Sequence, residues 1–248
     1  MLDTANRKLK KCWKEKMNKQ IVIGVGGVAR AGKNLFCDLL VKQLKQQFNL
    51  NAKHFALAYE LKMDCHDFIR DKLHVDVFTE NTDEKKVFRD MLVWYGDAKR
   101  KQSNGRYWID KLDLRIGKEC AWGTPPIDVA IVSDIRYDFY PTDEVDWIQK
   151  EKNGPFIHIS KYTYGFPTDG RVVKVGGQTV NKTKIFTEPA NSHEALNDPK
   201  LQKKADYLLQ WEDISYGKTP TYQELLDNEY LNNTVIECLK TIQHKIIQ

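Results

Sequence analysis

Residues 21–35, which read IVIGVGGVARAGKNL, combine closely spaced glycines with a lysine, and this combination suits the binding of phosphate. From Gly27 the chain reads Gly-x-x-x-x-Gly-Lys and reaches Gly32 and Lys33. Glycines at this spacing let successive backbone N–H groups curve around a phosphate, and the helix that follows turns its positive N-terminal end toward the same anion. Lys33 would reach the β- and γ-phosphates of a nucleotide. The stretch therefore predicts a phosphate-binding loop.

Two other interpretations of the same glycines stay open. Gly24, Gly26 and Ala29 satisfy the pattern G-x-G-x-x-A of dinucleotide-binding folds. That pattern wants an acidic residue ~20 positions further on, at the end of the second strand, and it leaves the Gly-Lys pair unexplained. Glu60 lies rather far along for this role. The other interpretation is a structural turn without a function.

Asn34 stands directly after the Gly-Lys pair, where a serine or threonine hydroxyl normally ligates magnesium. An asparagine offers a carbonyl oxygen on a longer arm, directly or through water. We therefore expect the metal to be held mainly by another carboxylate and by the nucleotide, or to be held loosely.

A second group of polar residues follows IDVAIV, the most convincing buried strand of the sequence, and reads SDIRY from Ser133 to Tyr137. In open α/β sheets the ligand crevice lies outside the carboxyl ends of the strands, which is the edge that also carries the phosphate-binding loop. The carboxylate of Asp134 and the guanidinium of Arg136 would there hold magnesium-bound water and clamp a phosphoryl group. The alternative is a surface salt bridge between these two residues.

Hydrophobic periodicity predicts the elements that position these groups. Short apolar runs predict strands at 21–25, 52–57, 127–135, 156–160 and 205–211. Helical patterns cover 35–48, 59–73 and 83–101, the last capped by Asn81 or Thr82, and a long helix opens at the capping box of Thr221 and Glu224 and runs to Ile246. Strands that alternate with helices predict an α/β fold with a mainly parallel β-sheet and helices on both faces.

The chain shows no linker and no internal repeat, so we expect one domain at 21–248 with a basic N-terminal arm at 1–20. A stretch rich in glycine, threonine and lysine, at about 161–191, predicts a hairpin or lid inserted into this domain. The arm is predicted to be a solvated helix packed on the domain, and a cationic helix on a membrane or nucleic acid is the alternative.

The composition limits which classes of protein this chain can belong to. A chain of 248 residues that is 41% hydrophobic and 29% charged has enough apolar residues for a sizeable core. The net charge of +5 suits a protein that handles anions, without predicting a nucleic-acid partner. The five cysteines are far apart, which favours reduced thiols in the cytoplasm over a disulfide framework or a zinc site. No apolar run approaches the ~20 residues that span a bilayer.

The segments GVARAGKN, SDIRY and FALAYELK together resemble the deoxynucleoside monophosphate kinases of tailed bacteriophages. That family carries an arginine inside the loop, which is Arg30 here, and an acid or amide after the Gly-Lys pair, which accounts for Asn34. The segments FRDMLVWYGDAKRKQSNGRYWIDKL, NSHEAL and ADYLLQW extend the resemblance from about Ile21 to about Leu226. Trp211 departs from the asparagine that is more usual in the family, at the strand before the nucleotide-base loop.

The resemblance implies a P-loop NTPase fold of the nucleotide-kinase type. It implies transfer of the γ-phosphoryl group of ATP to deoxynucleoside 5′-monophosphates (dNMPs), with Mg²⁺ as the cofactor. ATP and dNMPs would be small-molecule partners in the cytoplasm, that of the host if the protein is viral. No membrane and no stable nucleic-acid partner are expected, and a homodimer is compatible with the sequence.

These expectations assign roles to individual residues. ATP would be bound by the loop and the first turn of its helix, at Gly27, Arg30, Ala31, Gly32, Lys33, Asn34 and Leu35. Catalysis falls to Lys33, Asp134 and Arg136, and magnesium to Asn34 and Asp134. The acceptor would be bound by Lys62, Arg89, Arg100, Trp108, Asp134 and Arg136, and Arg171 in the lid would close on the phosphates. The base would stack between aromatic residues near Phe68, Trp94, Tyr95 or Trp108, most of which would be core residues.

Three other functions stay open. One is another small-molecule P-loop kinase, such as a kinase similar to dephospho-coenzyme A kinase. The second is a nucleic-acid-dependent P-loop ATPase that uses the basic N-terminal arm. The third is a nucleotide-binding module without turnover, which the weak metal ligand Asn34 would allow.

Overall fold

The structure is a computed structural model, and it describes most of the chain after the N-terminal arm. The described residues are 21–122, 125–165, 173–175, 178–180, 183–215 and 219–246. The predicted arm at 1–20 and the lid residue Arg171 lie outside them.

The strands of the described residues form a mixed, mostly parallel sheet and a separate two-stranded pair. Their bounds are β1 Ile21–Gly26, β2 Ala52–Ala56, β3 Val129–Ile135, β4 Phe156–Gly165, β5 Val173–Val175, β6 Gln178–Val180, β7 Thr183–Phe186 and β8 Tyr207–Glu212. In the main sheet the order β2-β3-β1-β4-β8 is parallel throughout. β7 pairs antiparallel with the far end of β4, and β5 pairs antiparallel with β6.

The helices alternate with these strands along much of the chain. Their bounds are α1 Lys33–Phe48, α2 Leu57–Phe68, α3 Thr82–Gln102, α4 Arg106–Trp122, α5 Glu144–Asp146, α6 Ser192–Lys204, α7 Tyr222–Asp227 and α8 Glu229–Ile246. π-helical turns at Ile69–Leu73 and Trp147–Glu151 continue α2 and α5. None of the described helices combines the length and the apolar character needed to cross a membrane.

Helices cover both faces of the main sheet, as the periodicity predicts. Successive strand residues point to opposite faces, so Ile23 and Ile131 pack in one core with α1 and α8. Their neighbours Val22 and Ala130 pack in the other core with α2 and α4. The α/β class and the mostly parallel sheet are thereby confirmed.

The long C-terminal helix predicted from the capping box at Thr221 and Glu224 is wrong in its length. The capping box is present, but it opens only the short α7. Asn228 then has an extended backbone, and its side-chain oxygen accepts a hydrogen bond of 3.1 Å from the Leu231 amide. Asparagine is a strong N-cap residue, so it starts α8 as a new helix. The periodic patterns also did not predict α4, α5 and α6.

Candidate functional site

The turn between β1 and α1 is built from backbone conformations that few residues adopt. Gly27, Arg30 and Gly32 have φ angles of 132°, 64° and 88°. A side chain at Gly27 would also be excluded by packing, because an added Cβ would lie 2.3 Å from the carbonyl oxygen of Ile159 on β4. The glycine is therefore required both for the turn and for its close approach to the sheet.

Lys33, the first residue of α1, spans this turn. Its ammonium group is buried and donates hydrogen bonds of 2.9 Å to the carbonyl oxygens of Gly27 and Val28. Burial lowers the pKa of Lys33, while the nearby carboxylates of Asp134 and Glu194 act in the opposite direction. Two of the three N–H donors of the ammonium group thus hold the loop in its curved shape.

The glycines of the dinucleotide pattern have a different place. Gly24 lies inside β1 and Gly26 is its last residue, so the chain has not yet begun to turn at the first of these glycines. In dinucleotide-binding folds the first glycine of the pattern makes the tight turn. The geometry therefore favours the Gly27–Lys33 loop over the dinucleotide interpretation.

Trp211, near the end of β8, packs against the phosphate-binding loop. Its side chain is 2% exposed, and its indole Nε1 donates a hydrogen bond of 2.9 Å to the carbonyl oxygen of Ala31. A Cβ added at Gly32 would lie 2.5 Å from the indole Cζ2 atom, so the ring fills the space under this glycine. The edge of the ring system also packs against Phe36, with ring centroids 6.1 Å apart.

A β-bulge presents the second group of residues. Gly24 pairs with Val132 and Gly26 with Ile135, so three steps along β3 match two steps along β1. Asp134 lies in this irregularity with a left-handed φ of 65°. Bulges re-aim side chains and bend the strand that carries them, which explains how the end of β3 turns its charged side chains toward the loop.

Arg136 lies between two carboxylates. Its Nη2 is 3.5 Å from Asp134 Oδ1, and its Nη1 donates to Glu194 Oε1 at 3.2 Å. The salt bridge between Asp134 and Arg136 that the sequence allowed is therefore present. Together with the ion pair between Arg136 and Glu194, it forms a larger group that connects the end of β3 to α6.

Glu194 also contacts the phosphate-binding loop. Its Oε2 accepts hydrogen bonds from the backbone amides of Ala29, at 3.2 Å, and Ala190, at 2.9 Å. The side chain is only 9% exposed. The loop, the end of β3 and the start of α6 thus meet at one carboxylate, which the sequence indicated only through the segment NSHEAL.

A buried carboxylate holds the backbone of the Arg136 segment. Glu144 Oε2 accepts hydrogen bonds of 2.6 Å from the amide of Arg136 and 3.0 Å from that of Tyr137, and Oε1 accepts one of 2.9 Å from Arg100. Burial raises the pKa of Glu144 to about 7, although Arg100 and the two amides favour its ionised form. No sequence pattern indicated this residue.

Arg100 is buried and surrounded by acidic and aromatic groups. Its Nη2 donates to both carboxylate oxygens of Asp143, at 2.9 and 2.7 Å, and its guanidinium carbon lies 3.8 Å from the centroid of the Tyr137 ring. Two carboxylates therefore take up most of its hydrogen-bonding capacity. These contacts give Arg100 a structural role in one wall of the site. Its role as a phosphate ligand stays a prediction.

An open cavity of about 210 Å³ lies beside these residues. Apolar side chains of α2, α3 and α4 form much of its wall, namely those of Leu57, Ala58, Leu61, Leu92, Val93 and Trp108. A neighbouring cavity extends toward α6 and is lined by Asn191, His193, Glu194 and Asn197. The two cavities form one cleft, because they share the lining residues Arg89, Val93, Arg136 and Tyr137.

The structure brings most of the predicted acceptor residues to this cleft. Its lining includes Arg89, Arg100, Trp108, Asp134 and Arg136. Lys62 is not among the lining residues, and its ammonium group lies 5.3 Å from the ring centroid of Phe78.

The aromatic residues proposed to stack on a base are dispersed. Trp108 lines the cleft, where its Nε1 donates to the carbonyl of Gly96 at 3.2 Å. Tyr95 packs edge-on against Trp108. Phe68 and Trp94 are 54% and 69% exposed and do not line the cleft. Tyr137 lines it and was named in the sequence only as part of SDIRY.

The donor set at the loop suits a magnesium ion that arrives with a nucleotide. Asp134 and Glu194 supply carboxylates beside Lys33, and Asn34 offers an exposed amide in the first turn of α1. Within the described part of the chain, no three or more His, Cys, Asp or Glu side chains form a metal-binding group. Mg²⁺ keeps several waters and takes one or two carboxylates plus substrate phosphates, so the residues present fit this mode of binding.

Comparison with protein-family models found no match, and comparison with curated proteins found none either.

Proposed function

We propose that this protein is a P-loop kinase that transfers the γ-phosphoryl group of ATP to the 5′-phosphate of a deoxynucleoside monophosphate. The observation that carries the proposal is the position of Arg136. This guanidinium lines a cleft with apolar walls, and it shares the carboxylate of Glu194 with the glycine-rich loop that carries Lys33. The resemblance to bacteriophage deoxynucleoside monophosphate kinases supports the choice of acceptor.

The loop residues would bind the triphosphate. Backbone N–H groups from Gly27 to Leu35, together with the N-terminal end of α1, would surround its phosphates. Lys33 lies at this end of α1, where an ammonium group would neutralise the oxygens that carry negative charge during transfer. Arg30, exposed in the loop, would add a second cation.

Arg136 and Arg89 would hold the acceptor phosphate at the junction of the two cavities. A planar guanidinium binds phosphate oxygens in pairs. An oxygen of the acceptor phosphate attacks the γ-phosphorus, the bond to the β–γ bridging oxygen breaks, and ADP leaves with that electron pair. Both reactants are anions, so the work of the protein is to position them and to stabilise the charge, without a covalent intermediate.

Magnesium would be held by Asp134, with Asn34 assisting, and when bound it neutralises phosphate charge and orients the oxygens of ATP. The apolar wall of the cleft would take the nucleoside. Leucine side chains of α2 and α3 together with the ring of Trp108 offer apolar contacts to a base.

The test is a screen of acceptors. The protein is incubated with ATP and Mg²⁺ and with each dNMP separately, and the products are separated to measure deoxynucleoside diphosphate and ADP. The proposal expects equal amounts of both products with at least one dNMP. Parallel reactions contain dephospho-coenzyme A or single-stranded DNA in place of the dNMP. Phosphorylation of dephospho-coenzyme A alone, or ADP release that depends only on DNA, would contradict the proposal.

A further inference from the structure

We infer that Trp211 is a positioning residue for the phosphate-binding loop, acting through the carbonyl group of Ala31; the inference rests on the proposed function of that loop. Trp211 lies on β8, about 180 residues from the loop in sequence, and is part of a different strand from the one that leads into it. Its hydrogen bond to Ala31 is a direct contact between these distant parts of the chain.

The contact fixes the orientation of one peptide unit. A peptide group is planar and trans, so its C=O and the next N–H point in opposite directions. Because the indole N–H of Trp211 holds the Ala31 carbonyl at 2.9 Å, the amide of Gly32 is directed away from the indole. Gly32 has a φ of 88°, which without this partner would be one of many conformations open to a glycine.

The indole also restricts the loop by its volume. The ring lies directly under Gly32, where a Cβ would come within 2.5 Å of it, and it packs on Phe36 in the first turns of α1. The loop therefore rests on a rigid aromatic surface, and Lys33, the next residue, starts the helix at a fixed point. A loop preorganised in this way loses less conformational entropy when it closes around an anion.

Another buried tryptophan of the described core provides a matched control. Trp147 is 0% exposed, lies on the opposite face of the sheet, and has an indole nitrogen without a hydrogen-bond partner in the described residues. Trp211→Phe and Trp147→Phe both shrink a buried aromatic side chain. Only Trp211→Phe removes a hydrogen bond to the loop.

The experiment measures ATP binding by calorimetry, and the KM for ATP and for the acceptor, in the wild-type protein and both variants. We expect Trp211→Phe to weaken ATP binding about tenfold, because without the hydrogen bond the loop would hold its binding-competent conformation in only about a tenth of the molecules. The KM for ATP should rise, while the KM for the acceptor changes less than twofold. Trp147→Phe is expected to keep wild-type values for both.

Equal ATP affinity in Trp211→Phe and Trp147→Phe would overturn the inference alone, as would an equal rise in both KM values in Trp211→Phe. Wild-type protein that binds ATP but phosphorylates no dNMP would overturn the proposed function, and the binding comparison would still decide the role of Trp211. Wild-type protein that binds no ATP would overturn both.

Discussion

The carboxylate of Glu144 accepts a hydrogen bond of 2.6 Å from the backbone amide of Arg136. The same carboxylate binds Arg100, which in turn binds Asp143. The side chain proposed to hold the acceptor phosphate is therefore positioned through its own backbone by a buried ionic group.

This arrangement predicts a pH-dependent contribution of Glu144 to stability. The pKa of Glu144 is about 7 in the folded protein, above the ordinary value of 4.5, so the folded state binds this proton more tightly than the unfolded chain. The stabilising contribution is full below pH 4.5 and is lost as the pH rises through 7. Relative to Glu144→Gln, the wild-type protein should lose roughly 3 kcal/mol of unfolding free energy over this range.

Urea denaturation of both proteins between pH 4.5 and 8 measures the difference. Glu237→Gln, exposed on α8, serves as the control for the loss of one surface carboxylate. A difference between the wild type and Glu144→Gln that is constant or rises with pH would show that Glu144 is not protonated in the folded state near neutral pH.

Arg136→Ala should impair the binding or turnover of the acceptor and leave ATP binding nearly unchanged. Removing the guanidinium takes away a bidentate phosphate contact, so the KM for the dNMP should rise or turnover should fall by roughly 100-fold, as for the loss of other charge-stabilising donors. ATP affinity by calorimetry should stay within about twofold of wild type, since its contacts are assigned to the loop. The control is Arg106→Ala, a change on α4 outside the cleft. Steady-state kinetics unchanged in Arg136→Ala would remove this residue from the site.

Two substitutions of Asp134 distinguish the requirement for its backbone conformation from the requirement for its carboxylate. Its φ of 65° is tolerated by aspartate and asparagine but costs an alanine roughly 1 kcal/mol. Asp134→Asn should therefore keep the wild-type melting temperature, while Asp134→Ala should melt at a lower one. Both should lose roughly 10- to 100-fold of the magnesium-dependent activity, because neither keeps the carboxylate. Full activity of Asp134→Asn would exclude a role for this charge in metal binding.

In the proposed mechanism, the carboxylate of Glu194 competes with the phosphates of ATP for a hydrogen-bond donor of the loop. This carboxylate accepts a hydrogen bond from the Ala29 amide of the loop, a donor that the polyphosphate of ATP would also attract. With EDTA present to exclude magnesium, Glu194→Gln should bind ATP at least about fivefold more tightly, because one like charge is removed from close range. Glu188→Gln, an exposed change of the same charge six residues earlier, should bind ATP as the wild type does. Weaker binding by Glu194→Gln would instead make this carboxylate a structural support of the loop.

Local patterns predicted the parts of the site that are contiguous in sequence. The loop from Gly27 to Lys33 follows a buried strand and opens an amphipathic helix, and each step has a signal in neighbouring residues. The apolar run at β3 likewise predicted where Asp134 and Arg136 would emerge. The sheet and helices on both of its faces followed from the same alternation, but α4, which packs on one face, did not.

The supporting residues had no local signal. Glu144 lies in a three-residue helix, too short for any periodic pattern, and its importance depends on burial against Arg100. Trp211 reads as an ordinary strand residue, because its hydrogen bond joins positions about 180 apart. The bulge at Asp134 depends on how β1 and β3 pair, which neither strand encodes alone. Contacts of this kind join distant parts of the chain, so they can be identified only in the folded structure.

The most direct test of the central claim is transfer of ³²P from [γ-³²P]ATP to a dNMP by the wild-type protein and by Lys33→Met. Methionine keeps most of the buried aliphatic stem of Lys33 and removes its ammonium group, so the variant should fold, as checked by circular dichroism. Lys42→Met, on the same helix but bonded to the carbonyl of Leu226, is the control. We predict labelled deoxynucleoside diphosphate from the wild type and from Lys42→Met, and a loss of at least roughly 100-fold in Lys33→Met. Wild-type labelling by a folded Lys33→Met would contradict the assignment of the loop.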